Sequence, residues 1–182
     1  MAVDGNQAKF EALVAPYLAD ALSLARWISG DRTDAEDIVQ DACLRAFRGL
    51  ARYNGGSARA WVLTIVRNTA YSWLGKNRVP MLVAVDDLDR KSREEVERGG
   101  NSFGSPAETP EAEMIAKADA GRLEAAIAAL PVEFRETLVL RDIQGLEYRE
   151  ISQVMATPIG TVMSRLARAR ARLIETIGNN PS

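Results

Sequence analysis

The sequence predicts an all-α protein with two small helical domains joined by a flexible linker, the C-terminal domain being a helix-turn-helix. Apolar residues recur at spacings of three and four in both halves of the chain, and no segment alternates long enough to indicate a strand. Between the halves lies an acidic stretch with glycine and proline breakers and no periodicity. We expect domains at residues 1–78 and 113–182, and a flexible acidic linker at residues 79–112.

Two amphipathic helices are predicted at the start of the N-terminal domain. The first carries an apolar stripe over residues 10–22, which Pro16 interrupts and is expected to kink. The second begins at the capping-box pattern Thr33-Asp34-Ala35-Glu36. Its apolar face consists of Ala35, Ile38, Val39, Ala42, Ala46 and Phe47.

One side of the second helix combines acidic residues with a leucine. Asp37, Asp41 and Leu44 recur at i, i+4 and i+7, with Gln40 beside them. Paired carboxylates can serve acid–base catalysis or bind a metal, but no apolar pocket and no histidine accompany them. A solvated face and a protein-docking face both remain open. Cys43, nearby, is expected to be a packing residue and not a nucleophile.

A third helix is expected after the Asn54-Gly55-Gly56 turn, capped by Ser57 and running to about Leu74. Trp61 and Trp73 are expected in the core. Every charged residue from Ser57 to Arg78 is basic. Proteins that bind single-stranded nucleic acid combine basic side chains, which contact the phosphates, with aromatic or polar side chains, which contact the unstacked bases. The side opposite the apolar stripe presents Thr64, Arg67, Asn68 and Tyr71.

The C-terminal domain is predicted to start with a helix around Leu123, Ile127 and Leu130, followed by one that Pro131 opens and Gly145 closes. Tyr148, Ile151 and Met155 then line one face of a short helix. A tight turn follows, in which Thr157 is expected to cap the last helix and Pro158 to occupy its first position. The apolar stripe of that helix is Ile159, Val162, Leu166, Ala169 and Leu173.

The opposite side of the last helix is rich in arginine. A short helix, a tight turn and such a helix are typical of a helix-turn-helix that binds duplex DNA, although a solvated cationic face is the alternative. Arg170 lies nearer the apolar side and is expected at the boundary and not on bases. We call the following residues the recognition face: Thr161, Ser164, Arg165, Arg168 and Arg172.

The amino-acid composition excludes several kinds of functional site. One cysteine and no histidine exclude an internal disulfide, a Cys/His zinc site and histidine-dependent catalysis. A small helical enzyme is a further alternative, which the missing histidine and the absence of a nucleophile–base set or a phosphate loop disfavour. We expect no enzyme activity, cofactor, metal or small-molecule substrate. The net charge of −2 hides two basic faces. No apolar run approaches the roughly 18–20 residues that span a bilayer, and no export signal is evident, so a cytoplasmic location without membrane insertion is expected.

Three motifs resemble those of extracytoplasmic-function sigma factors of the sigma-seventy family. Residues 35–41 with Leu44 resemble the polymerase-docking motif, and residues 59–70 resemble the promoter-melting region. Residues 130–136, 148–151 and 160–170 resemble the C-terminal domain. The similarity runs from about Phe10 to Ile177, apart from the linker, and the motifs follow in the family's order.

The resemblance implies a role for each surface. A docking face would bind the clamp helices of the largest subunit of core RNA polymerase; it comprises Asp37, Gln40, Asp41 and Leu44. A −10 face would surround the −10 promoter element; it comprises Arg59, Arg67, Asn68, Tyr71, Lys76 and Arg78. The loop at residues 54–59 would hold a flipped base. The recognition face would bind the −35 element as duplex.

The resemblance also implies a protein partner. Such factors are commonly held inactive by an anti-sigma factor, and they direct polymerase to promoters, often in stress or envelope responses. In two places this sequence departs from the family's pattern. Met163 stands where many members have a basic residue, and the linker is acidic and rather long.

The alternative function is a stand-alone helix-turn-helix regulator that binds promoter duplex without polymerase and favours palindromic half-sites.

Overall fold

The structure is a computed structural model that describes residues 2–77 and 110–178. Over those two ranges every regular element is helical and no strand occurs, which confirms the all-α fold class. The N-terminal helices are α1 (Ala2–Leu13), α2 (Leu18–Ser29), α3 (Arg32–Gly49) and α4 (Ala58–Asn77). The C-terminal helices are α5 (Pro110–Ala128), α6 (Val132–Leu138), α7 (Tyr148–Met155) and α8 (Ile159–Gly178).

The predicted linker falls almost wholly outside the described residues. Its last three residues belong to α5, which begins at Pro110 and so three residues before the expected start of the C-terminal domain. None of the helices in the described ranges is long and apolar enough to cross a membrane.

The N-terminal domain is a bundle in which α2, α3 and α4 pack against one another. Leu24, Ile38, Leu63 and Val66 are among its fully buried side chains, as the apolar stripes require. Pro16 lies in a short 3₁₀ turn, Ala15–Tyr17, that separates α1 from α2, so the predicted interruption is confirmed.

Two details of α3 differ from the sequence prediction. The cap is Asp31 and not Thr33, because the Asp31 carboxylate accepts a 3.0 Å hydrogen bond from the backbone N–H of Asp34. Phe47 is 41% exposed, and its ring packs on Phe10 with centroids 5.8 Å apart. The smaller residues of the predicted apolar face, such as Ala42 and Ala46, are buried.

In the C-terminal domain α6 and α7 both pack on α8. Pro131 immediately precedes α6, and Gly145 (φ 72°) follows a π turn, Val139–Ile143, so both predicted boundaries are confirmed. Ile127 and Leu130 are buried, whereas Leu123 is 43% exposed.

The hydrogen bonds of the turn between α7 and α8 differ from those predicted. Ala156 ends α7 in the left-handed conformation (φ 48°). The Thr157 hydroxyl donates to the carbonyl of Met155 at 3.0 Å and so does not cap α8. The carbonyl of Pro158 instead accepts the first bond of α8, from the N–H of Val162 at 3.1 Å, and Pro158 precedes the first helical position, at Ile159.

The two domains contact each other through α2 with α6 and through α4 with α7. Arg135 of α6 links them by donating to the carbonyl of Trp27 at 2.8 Å and to the carbonyl of Leu130 at 2.9 Å. Arg26 of α2 pairs with Glu124 of α5 at 3.0 Å. The N-terminal bundle and the helix-turn-helix are therefore held side by side.

Candidate nucleic-acid interface

The recognition face lies along one side of α8, as predicted. Ser164, Arg168 and Arg172 are exposed, while Thr161 is half-buried. The buried residues of the same helix, Val162, Leu166 and Ala169, point into the domain. The structure thus brings the predicted residues together on the side of α8 away from the core.

Two arginines of the recognition face have partners on α6. The Arg165 guanidinium pairs with the Glu133 carboxylate at 3.2 Å, and the Arg165 side chain is 22% exposed. The Arg172 guanidinium lies over the Phe134 ring, 5.1 Å from its centroid. Both contacts lie within the C-terminal domain, and they limit the side-chain freedom of the two arginines.

Arg170 was expected at the boundary of the apolar side. It is exposed and forms two hydrogen bonds to the Asp142 carboxylate, at 3.0 and 2.6 Å. This pairing raises the pKa of the Arg170 guanidinium. Arg170 therefore braces α8 against the π turn and is directed away from the recognition face.

The −10 face divides into two groups in the structure. Asn68 and Lys76 are exposed on α4, as a nucleic-acid contact requires. Arg59, Arg67 and Tyr71 are instead covered by the C-terminal domain. Arg78 lies outside the described residues.

Arg59 is held from two sides. Its Nε donates to the Asp20 carboxylate of α2 at 2.8 Å, and its Nη2 donates to the carbonyl of Gln144 at 2.6 Å. The Gln144 side chain in turn donates to the carbonyl of Asp20 at 2.9 Å. Arg59 is thus part of the contact between the two domains.

Arg67 forms a bidentate ion pair with Glu136 of α6. Its Nε and Nη2 donate to the two carboxylate oxygens at 2.9 Å each. The Glu136 side chain is fully buried, and burial raises the pKa of that carboxyl although Arg67 opposes the shift. The Arg67 guanidinium also lies 4.6 Å from the centroid of the Tyr71 ring. Burial, reinforced by the negative charge of Glu136, raises the pKa of the Tyr71 hydroxyl.

The loop before α4 is compact. Gly55 (φ 98°) and Gly56 (φ 91°) adopt conformations that a side chain would strain, and the Tyr53 hydroxyl donates to the carbonyl of Gly56 at 2.8 Å. Ser57 caps α4 as predicted, accepting from the N–H of Ala60 at 3.1 Å. Trp61 packs on the Tyr53 ring at 5.2 Å between centroids, partly buried against the core.

The docking face is open along α3. Asp37, Gln40 and Asp41 are exposed, and Leu44 is 58% exposed, unusually open for a leucine. Asp41 pairs only locally, with Arg45 one turn later at 2.9 Å. No cluster of metal-ligating side chains occurs within the described ranges. Cys43, beside this face, is half-buried, and burial raises the pKa of its thiol.

The acidic partners of the arginines on the two DNA-binding faces were not predicted from the sequence. Glu136, Glu133 and Asp20 were not among the expected functional residues, yet each pairs with an arginine of a predicted DNA-binding face. The burial of all five residues 136–140 is a property of the fold, and no local sequence pattern relates Glu136 to a distant arginine.

Comparison with known proteins accounts for both domains. Residues 13–79 match the family Sigma-70 region 2, and residues 120–173 match Sigma-70, region 4. The chain is 32% identical to the ECF RNA polymerase sigma factor SigE of Mycolicibacterium smegmatis over 98% of its own length and 66% of that protein. It is 34% identical to the ECF RNA polymerase sigma-E factor of Escherichia coli K12, over 91% of this chain and 85% of that protein.

A solved structure has the same arrangement of helices. It is that of the sigma factor RpoE in complex with the anti-sigma factor NepR from Bartonella quintana. The TM-score is 0.69 at 27% sequence identity, and the match covers 94% of this chain and 98% of that one.

Proposed function

The chain belongs to the sigma-70 family, within its extracytoplasmic-function group, and we propose that it binds core RNA polymerase and directs it to a specific set of promoters. The observation that carries this proposal is the presence of both family regions in order, each on its own helical domain. A protein that works with core polymerase acts in the cytoplasm. It is a transcription initiation factor and not an enzyme.

The recognition face supports a role in binding the −35 element as duplex. Its exposed arginines and hydroxyls lie on the second helix of a helix-turn-helix, the element that enters a major groove. Arginine can pair with guanine edges or phosphates, and serine and threonine hydroxyls make short hydrogen bonds to either.

The −10 face supports a role in binding the opened −10 element. Asn68 and Lys76 are accessible on α4, whereas Arg59, Arg67 and Tyr71 lie on the same helix but are covered by the C-terminal domain. A tyrosine ring beside an arginine would suit stacking of an unpaired base next to a phosphate contact when that side of α4 is uncovered.

The docking face supports binding to the polymerase. It combines carboxylates with an exposed leucine, which is the mixture of polar rim and apolar centre found in protein interfaces. We assign it to the clamp helices of the largest polymerase subunit.

An anti-sigma factor is the second proposed protein partner. The Bartonella quintana sigma factor was solved with such an inhibitor, and its fold covers nearly the whole of this chain. We propose that an inhibitor of the same class holds this factor until a signal releases it.

Run-off transcription with purified core polymerase tests the main proposal. Promoter-specific transcripts are expected only when this protein is added, from promoters selected with the reconstituted holoenzyme. Transcripts that do not depend on the protein would contradict it. A stand-alone regulator is disfavoured because the N-terminal domain matches sigma-70 region 2 over residues 13–79.

A further inference from the structure

Two large apolar side chains are exposed at the start of α8. Ile159 is 40% exposed and Met163 is 52% exposed, and they lie one turn apart on the same side of the helix. Ala167, one turn further along, is exposed as well. The domain core uses a different side of α8, which includes Val162 and Leu166. We call Ile159, Met163 and Ala167 the apolar strip.

The apolar strip borders the recognition face. At about 100° per residue, Met163 lies about 100° around the helix from Ser164, and Ala167 lies about 60° from it. Gly160 occupies the surface between Met163 and Ser164, and a Cβ added there would meet no other atom within 4 Å. A ligand held by the recognition face can therefore approach this part of α8 closely and reach the strip.

The charge around the strip selects a polyanion as its partner. Residues 159–174 include four arginines and no acidic residue. Arg165 and Arg170 pair with carboxylates of the same domain, which leaves Arg168 and Arg172 to attract an anionic ligand. A protein partner with an apolar surface would have no need of these charges.

Duplex DNA offers such a surface one apolar group. In the major groove the four base pairs present donors and acceptors, and only thymine adds a methyl group, at C5. That methyl is the outermost group on the exposed edge of an A·T pair, beside its own strand. The border of a helix that lies in the groove faces the same place, and the border of the recognition face is where Met163 lies.

We infer that Met163 contacts the C5-methyl group of a thymine in the −35 element and so selects an A·T pair at one position. The inference rests on the proposed function, in which α8 binds that element as duplex. The flexible thioether side chain adapts its shape to an apolar neighbour. A basic residue, which many members of the family have at this position, would hold a phosphate and carry no sequence information.

Deoxyuridine tests the contact because it differs from thymidine only by the missing methyl group. Promoters are first selected with the reconstituted holoenzyme. Each thymine of the −35 element, on both strands, is then replaced in turn by deoxyuridine, and holoenzyme binding is measured by competition at fixed salt concentration. With the parent protein one replacement should weaken binding by about 3–5-fold, the loss expected for one methyl group.

Met163→Ala should bind the thymine and deoxyuridine promoters equally at that position. Ile174→Ala is the matched control, because Ile174 is 72% exposed on the same helix, about three turns further on, and should retain the difference. Met163→Lys should abolish the difference and also steepen the salt dependence of binding by about one ion, since the added cation reaches a phosphate. Both residues are exposed, so all three variants are expected to fold as the parent does.

The inference is overturned if no −35 thymine is sensitive to deoxyuridine, if Met163→Ala keeps the sensitivity, or if the selected element contains no A·T pair. Weaker capture of core polymerase by Met163→Ala with an unchanged base preference would show that the strip binds a protein, and this too overturns it. These outcomes leave the proposed function standing, because the holoenzyme still selects promoters. A holoenzyme that selects none overturns the proposed function and the inference with it.

Discussion

The Ser57 hydroxyl donates a 2.7 Å hydrogen bond to the Glu150 carboxylate, so the N-termini of α4 and α7 are joined across the two domains. Ser57 also accepts from the N–H of Ala60, and Glu150 accepts from the N–H of Glu147. Each side chain therefore caps its own helix and holds the other domain.

Ser57→Ala should lower the free energy of unfolding by about 1–2 kcal/mol, since it removes a helix cap and a hydrogen bond to a charged group. Urea denaturation followed by circular dichroism measures the change. Ser72→Ala is the control: Ser72 is exposed on the same helix, and its replacement should stay within about 0.5 kcal/mol. Equal losses in the two variants would contradict the capping role.

Asp41→Ala should weaken the pull-down of core polymerase while leaving the helical content unchanged, because an exposed carboxylate of the docking face is lost. Its i,i+4 pair with Arg45 is worth only about 0.3–0.5 kcal/mol of stability. Glu36→Ala breaks the equivalent pair with Arg32 on the same helix, about 140° around from Asp41, and should retain the pull-down. Full retention by Asp41→Ala would remove the docking assignment.

Arg165→Ala should cost about 1–3 kcal/mol of promoter binding by the holoenzyme and relax the preference at one −35 base. Competition binding on a panel of single-base −35 variants measures both effects. Arg170→Ala removes the same charge from α8 at a position paired with Asp142, and base preference should not change. A loss from Arg165→Ala that is equal on every sequence would instead identify a phosphate contact.

Cys43 should react slowly with iodoacetamide at neutral pH. Burial raises the pKa of its thiol above the usual value, so the reactive thiolate is a smaller fraction at pH 7 and grows only at more alkaline pH than for a free thiol. The rate, followed by mass spectrometry from pH 7 to 10, should be lower in the native protein than in the urea-unfolded protein. Identical pH profiles in the two states would show that the thiol is not shielded.

The elements of the fold could be predicted because each depends on local pattern. The stripe that includes Val162, Leu166 and Ala169 specifies the buried side of α8, and Gly145 and Pro131 mark chain reversals that few other residues allow. The caps were less predictable. Asp31 and Thr33 are both good caps two residues apart, and only the geometry after Gly30 selects Asp31.

The residues of the candidate surfaces were predicted as faces of helices, but the sequence did not predict which of them another domain covers. Asp37 and Leu44 are exposed as expected, since nothing in the described chain packs on that side of α3. Arg67 is covered because Glu136, 69 residues away, approaches it in the folded chain. Helical periodicity relates residues within one helix and contains no information on such a distant approach.

The bond from Arg135 to the carbonyl of Trp27 joins the C-terminal domain to the end of α2. Trp27 lies in the last turn of α2, where carbonyls lack a donor within the helix. When Arg135 withdraws, water can donate to that carbonyl at similar enthalpy. Hydration therefore substitutes for this bond, and its loss does not by itself unwind the last turn of α2.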